Sequence, residues 1–364
     1  MSDVVTEPLA LPLESTEEHS RLFATAAYDY ELPEELIAQN PVEPRDASRL
    51  LVLPRREGGL THRRFADLPE LLRSGDLLVL NDTRVWHARL WGVKISGSAR
   101  VELLLLRPLD PQETLWEAMV RPGRRLPPGT EVALPGGRAV VGARREDGIR
   151  EIRFVLPKRT VRDLLAAEGE VPLPPYIHAT QAPPERYQTV YARQEGSAAA
   201  PTAGLHFTQE LFGRLAAKGV STAFVTLHVG IGTFRPVESD DVRRHVMHEE
   251  RCALPEQTAM AVARTRECGG RVVAVGTTVV RTLESFGQRD GNVRSGETDT
   301  RLFITPGFRF QVVDALVTNF HLPRSTLLML VSAFADYDRV RWAYQRAVEE
   351  RYRFFSFGDA MFIG

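Results

Sequence analysis

Hydrophobic positions begin to gather only after the first few dozen residues. Residues 1–27 are polar and acidic without a period, and read as a flexible tail. DYELPEELIAQ then predicts a short helix entered through Pro33, a residue tolerated in a first helical turn. FADLPELLRSGDLLVLNDTRV predicts another short helix ending near Gly75. Its apolar run LLVLN reads as a buried strand, closing in a polar turn from Asn81 to Arg84.

Between Trp86 and Lys158 the texture changes. The short runs VELLLL, EVALP, RAVVG and IREIRFVL are separated by PPGT, PGG and EDG turns, which predicts a small closed or sandwiched β unit. Helical RDLLAAEG and rigid PLPPYI follow. From there ELFGRLAAKG, STAFVTLHV, a helix around Gln257 to Cys268, RVVAVGTTVV and VDALVTNF alternate helix with strand. The expected fold class is α/β, with residues 28–85 and 159–364 forming one large domain and residues 86–158 inserted into it. No internal repeat interrupts this scheme.

Three strand-like segments end in polar turns: FVTLHVGIGTFRP, VVAVGTTVVRTLES and ALVTNFHLPRST. Ligands of α/β folds collect at the carboxyl ends of strands, so these turns, with APTAGLHF as a fourth wall, are expected to meet in one site. Gly276 to Thr278 precede a helix, where free N–H groups suit an anion; a tight connection alone also explains them. Gly230 and Gly232 would let a ligand approach the main chain beside Thr233 and Arg235; a glycine-rich bend is the plain alternative. HVMHEE spaces His245 and His248 three apart, which misses the HEXXH zinc pattern, and no metal is expected. Neither a P-loop, a GxGxxG turn nor a nucleophile elbow occurs.

Composition adds limits more than clues. The 364 residues are 43% hydrophobic and 26% charged, with a net charge of −1, so no global field favours a polyanion. Two cysteines, Cys252 and Cys268, fit a reducing compartment, and the cytoplasm is the expected location. The longest apolar run, TLLMLVSAFA, is too short to span a bilayer, so no membrane partner is expected. The residues by themselves therefore indicate an α/β enzyme with a histidine-bearing polar cleft for a small anionic or zwitterionic ligand.

At YQTVYA, SAAAPTAGLHF, VTLHVGIGTFRPV, HVMHEE, AVGTTVVRTLES, VDALVTNFHLPRSTLLMLVSAFA and YRFFSFGDAMFI the chain resembles the S-adenosylmethionine:tRNA ribosyltransferase-isomerases. The likeness begins at YELPEELIAQNPVEPRDASRLLVL and runs through NDTRV, ARLWG and PLPPYI, weakest in the β unit. It implies a large mixed α/β domain carrying a smaller inserted β-barrel. It also implies an activity in queuosine synthesis: transfer and isomerisation of the ribosyl part of S-adenosylmethionine onto tRNA bearing 7-aminomethyl-7-deazaguanine at the wobble position. Epoxyqueuosine-tRNA, adenine and methionine would be the products. S-adenosylmethionine is then a co-substrate, with no further cofactor, and a monomer is the expected state. Val279 departs from the family, where a serine is frequent.

That chemistry needs a base for the C5′ proton acidified by the sulfonium, an acid for departing adenine, and donors for developing oxyanions. His206 and His228 are the candidates for proton transfer, with His321 in reserve. Arg84, Thr202, Gly204, Gly230, Gly232, Thr233, Arg235, Gly276, Thr277, Thr278, Arg281 and Asn319 are the candidates for binding the co-substrate. In the β unit, Arg121, Arg124 and Arg125 are candidate phosphate contacts. The rival readings are a metal-dependent hydrolase built on the scattered histidines and a non-catalytic tRNA-binding protein.

Overall fold

The computed structural model describes residues 21–56, 58–145, 148–230 and 237–364. Its centre is a nine-stranded mixed sheet. From one edge the order is Gly296–Thr300, Glu250–Leu254, Ser221–Leu227, Leu77–Asn81, Val272–Val275, Ala315–Asn319, Ala360–Ile363, Arg49–Leu53 and Thr61–Arg64. The four strands from Ser221–Leu227 to Ala315–Asn319 are mutually parallel, so their carboxyl ends share one edge.

Alternate residues of these strands serve opposite cores. Leu77, Val79, Val272, Ala274 and Leu316 pack with Val279, Val280 and Leu283 of the Thr277–Ser285 helix and with the Thr326–Ala335 and Tyr337–Glu349 helices. Leu78, Leu80, Val273, Val275 and Val317 pack on the other face against Phe65, Phe207, Leu211 and Leu215. With both faces covered, the strands read as continuous apolar runs rather than alternating ones. The apolar run of TLLMLVSAFA is the buried Thr326–Ala335 helix, and among the described residues no helix is long and apolar enough to cross a membrane.

The inserted unit is a closed antiparallel barrel. Its strands run in the order Ile149–Val155, Leu115–Arg121, Arg100–Pro108, Arg89–Lys94, Glu131–Leu134 and Gly137–Arg144. Trp116, Val101, Leu103, Leu105, Ile152 and Phe154 fill it. The barrel closes tightly at Gly92, where a Cβ would meet Val132 Cγ1 at 2.5 Å. The Val161–Glu168 helix, capped by Thr160, adds Val161, Leu164 and Leu165 to the same core.

Two local expectations are corrected. DYELPEELIAQ forms only a 3-10 turn at Glu34–Leu36, because Ile37 bridges to Phe354: the Ala38 amide donates to the Phe354 carbonyl and the Phe354 amide to that of Leu36. Residues 21 to 27, expected within the tail, pack on the core. Thr25 is fully buried and donates its hydroxyl to the Ser239 carbonyl at 2.5 Å. The aromatic segment near the end of the sequence packs into the core and supplies a strand, Ala360–Ile363, inside the sheet.

Candidate active site

Asn81, at the end of its strand, joins its neighbours by side-chain bonds. Its Nδ2 donates to the Leu227 carbonyl at 3.0 Å and to Thr278 Oγ1 at 3.2 Å, while its Oδ1 accepts from the Leu227 and Thr83 amides. The strand ends are therefore stitched at one place. Above them opens a cavity of about 680 Å³, a volume that includes its open mouth.

Its walls come from four segments. Ala200, Pro201, Thr202 and Ala203 form one, and Gly276, Thr277 and Thr278 a second. Thr318, Asn319, Phe320 and His321 form the third, with Ser325 beyond them. Tyr176, Phe355 and Ser356 close the fourth side. Among the described residues, none that lines the cavity carries a formal charge. Gly276 adopts φ of 91°, a conformation glycine takes without strain, and this aims the first N–H groups of the Thr277–Ser285 helix at the cavity side. The described lining thus offers hydroxyls, amides and a helix N-terminus, which can orient a zwitterion, and no carboxylate among the described residues lines it.

His321 Nε2 lies 2.8 Å from Thr318 Oγ1, and burial lowers its pKa to about 3, so the ring is neutral at physiological pH. Asn319 Nδ2 donates to the Phe355 carbonyl at 3.0 Å, while Asn319 Oδ1 finds no hydrogen-bond partner among the described residues. Tyr176 and Ser356 meet at 2.8 Å between their hydroxyls.

The structure brings together only part of the expected set. Thr202, Gly276, Thr277, Thr278, Asn319 and His321 line the cavity. His206 does not: it is buried behind Asn319, between Ser48 and the Phe65 ring stacked on it at 4.8 Å, with a pKa pushed down to about 3 by burial and neighbouring guanidinium groups. It reaches the cavity only through Asn319. His228 also stands off the lining, its Nδ1 2.8 Å from Thr83 Oγ1 and its ring against Gly196; burial and then Arg251 lower its pKa.

Arg281 turns away as well. It is buried in an ion pair with Glu250, which also accepts the Gly230 amide at 2.8 Å, and neither Arg281 nor Gly230 is among the residues lining the cavity. Gly204 gives room to Tyr191, whose hydroxyl oxygen would lie 2.0 Å from a Cβ there. Arg84 is half-exposed and pairs with Glu195 at 3.8 Å, across a two-stranded parallel sheet of Thr83–Val85 with Gln194–Ser197. Gly232, Thr233 and Arg235 lie outside the described residues. Tyr176, Ser325 and Phe355 were not anticipated. The signal for Ser356 was the polar SFGD interruption in an aromatic run, and for Tyr176 the rigid PLPPYI.

Residues 25–363 match the family described as Queuosine biosynthesis protein. The chain belongs to that family. It is 56% identical over 338 residues to the S-adenosylmethionine:tRNA ribosyltransferase-isomerase of Symbiobacterium thermophilum, covering 92% of this chain and 98% of the relative. Identity to the protein of the same name from Moorella thermoacetica is 54% over 340 residues, with the same coverage. The crystal structure of S-adenosylmethionine tRNA ribosyltransferase from Thermotoga maritima shares 44% identity and a TM-score of 0.54, covering 93% of this chain and all of that one. The family's mixed α/β fold with a barrel is thus the fold of this chain. No cluster of three or more histidine, cysteine or acidic side chains suited to a metal occurs among the described residues.

Proposed function

We infer that the chain is an S-adenosylmethionine:tRNA ribosyltransferase-isomerase of queuosine synthesis. The observation that carries this is the family match from residue 25 to 363, which spans every residue lining the large cavity. The substrate is tRNA carrying 7-aminomethyl-7-deazaguanine at the wobble position. The ribosyl unit of S-adenosylmethionine passes to its aminomethyl nitrogen and rearranges to the epoxide, as adenine and methionine leave. S-adenosylmethionine is consumed as co-substrate, no metal or redox cofactor takes part, and a single chain in the cytoplasm is the working unit.

Within that reading the uncharged lining has a use. A sulfonium with no carboxylate beside it keeps its full pull on the C5′ hydrogen, which makes ylide formation easier. His321, neutral because it is buried, keeps a lone pair that can accept a proton but is a weak base, and it cannot deliver an imidazolium proton in the resting state. The hydroxyls of Thr202, Thr277, Ser325 and Ser356 and the amides after Gly276 bind the co-substrate's polar ends. His206 holds Asn319 in place and touches no substrate.

Incubating the modified tRNA, S-adenosylmethionine and protein, then identifying the small products, tests the assignment. Adenine with methionine is the expected pair. S-adenosylhomocysteine, or tRNA binding without adenine release, would overturn it. His321→Ala should slow adenine release by about 10²–10⁴-fold while S-adenosylmethionine still binds.

A further inference from the structure

A smaller cavity adjoins the large one and differs from it in charge. It opens to solvent, and its volume of about 260 Å³ includes that open mouth. Arg45, Arg186, Ser48, His206 and Ser356 are among its walls. Ser356 belongs to both cavities, and His206 is bonded to Asn319 of the large one, so the two spaces share a partition.

Two guanidinium groups dominate it. Arg45 donates to the carbonyls of Leu205 at 3.1 Å and Glu185 at 3.3 Å; Arg186 donates to that of Val42 at 2.8 Å. A guanidinium has five N–H donors, so each has donors to spare. Arg186, with only 11% of its side chain exposed, meets one carboxylate among the described residues, Glu43 at 2.5 Å, and Glu43 is 70% exposed. Arg353, a third cation acting on His206, has Asp359 nearby, but that carboxylate is taken up by the Arg49 and Arg353 amides. Positive charge is therefore in excess at a partly buried place. Burial, followed by Arg186, brings the pKa of Arg45 down to about 10, a strain that an anion would relieve.

We propose that this cavity seats a phosphodiester of the tRNA substrate, next to the nucleotide whose base enters the large cavity beside Asn319. The proposal rests on the function inferred above. Paired guanidinium forks suit phosphate oxygens, and the exposed Glu43 carboxylate occupies one fork until a phosphate replaces it. The other oxyanion of the reaction, the methionine carboxylate, has the amides after Gly276 within the large cavity itself.

The test measures binding of modified tRNA by the full-length protein across a salt series, alongside calorimetric binding of S-adenosylmethionine. Arg186→Gln should weaken tRNA binding about tenfold and reduce the slope of log affinity against log salt by about 0.7, the loss of one phosphate contact on single-stranded RNA. Its affinity for S-adenosylmethionine should stay within about twofold of the parent. Glu43→Gln, which frees the fork and removes an exposed charge, should tighten tRNA binding about threefold. Unchanged tRNA affinity and slope in Arg186→Gln overturn the proposal, as does weakened S-adenosylmethionine binding with tRNA binding intact, which would make the cavity a carboxylate seat. If the parent protein releases adenine on modified tRNA while these variants bind like it, only the phosphate seat falls. If the parent releases none, the enzymatic reading itself falls.

Discussion

Asn319 Nδ2 stands 3.2 Å from His206 Nε2, and this contact fixes the tautomer of a fully buried imidazole. The same amide nitrogen donates to the Phe355 carbonyl, so Nε2 must accept, and the ring proton sits on Nδ1, donating to Ser48 Oγ at 2.8 Å. The carboxamide is thereby held with its oxygen free for a ligand. His206→Ala should lower kcat about 100-fold by letting Asn319 turn, whereas His206→Gln, whose amide oxygen can accept the bond, should recover most of it. Parental kcat in His206→Ala would remove the residue from the site's support.

Acid should destabilise the fold through two histidines. His206 and His321 have pKa values near 3 in the folded protein against an ordinary 6.5, so between those limits the unfolded chain binds more protons. Stability is then complete above about pH 6.5 and falls as the pH drops toward 3, by at most about 1.4 kcal/mol per pH unit for each histidine. Thermal melting from pH 7.5 to 4.5 measures it; His206→Gln should flatten the slope, and an unchanged slope would count against the buried neutral ring.

Gly196 lies against His228 with φ of 143°, and a Cβ there would sit 2.9 Å from His228 Cε1. Gly196→Ala should displace the ring and cost about 1–3 kcal/mol. Comparing adenine release in Gly196→Ala and His228→Ala separates packing from chemistry: a loss above tenfold in the second, with the protein still folded, would return His228 to the reaction.

The buried Arg281 and Glu250 pair anchors the helix after Gly276 to the strand Glu250–Leu254. Glu250→Gln leaves an unpaired buried cation and should destabilise by about 3–5 kcal/mol in chemical denaturation. Adding Arg281→Met should regain a good part of that. Additive losses would show that the two side chains do not act as a pair.

On the barrel, Arg124 and Arg125 are exposed in the short turn Gly123–Arg125, with Arg121 beside them. Reversing both charges should weaken tRNA binding and reduce its dependence on salt. Affinity equal to the parent at every salt concentration would leave the arginines as ordinary surface charge.

The architecture was legible because burial on both sheet faces writes unbroken apolar runs, and turn glycines punctuate the barrel. The polar turns after Val275 and at Asn319 share one cavity with Ala200 to Ala203, since parallel strands must end at one edge, while most of the GIGTFR turn lies outside the described residues. What the pattern could not reveal was direction. Arg281 sits on a helix just beyond a cavity-lining glycine, yet the helix period turns it toward Glu250, a residue 31 positions away. His206 looks like a catalyst beside Thr202 and Gly204, but its partners Ser48 and Phe65 come from another part of the chain. Tyr176 was hidden for the same reason: its place at the cavity depends on Ser356, 180 residues onward.

That last pairing bears on how the molecule is made. Arg49 donates its amide to Asp359, 310 residues onward, and the strand beginning at Ala360 is wedged inside the sheet. On the ribosome, the edge carrying Arg49–Leu53 must wait for its neighbour until nearly all the described sequence has emerged. A nascent chain interrupted anywhere earlier would lack both Ser356 and the wedge, so truncated products would be unable to hold the co-substrate.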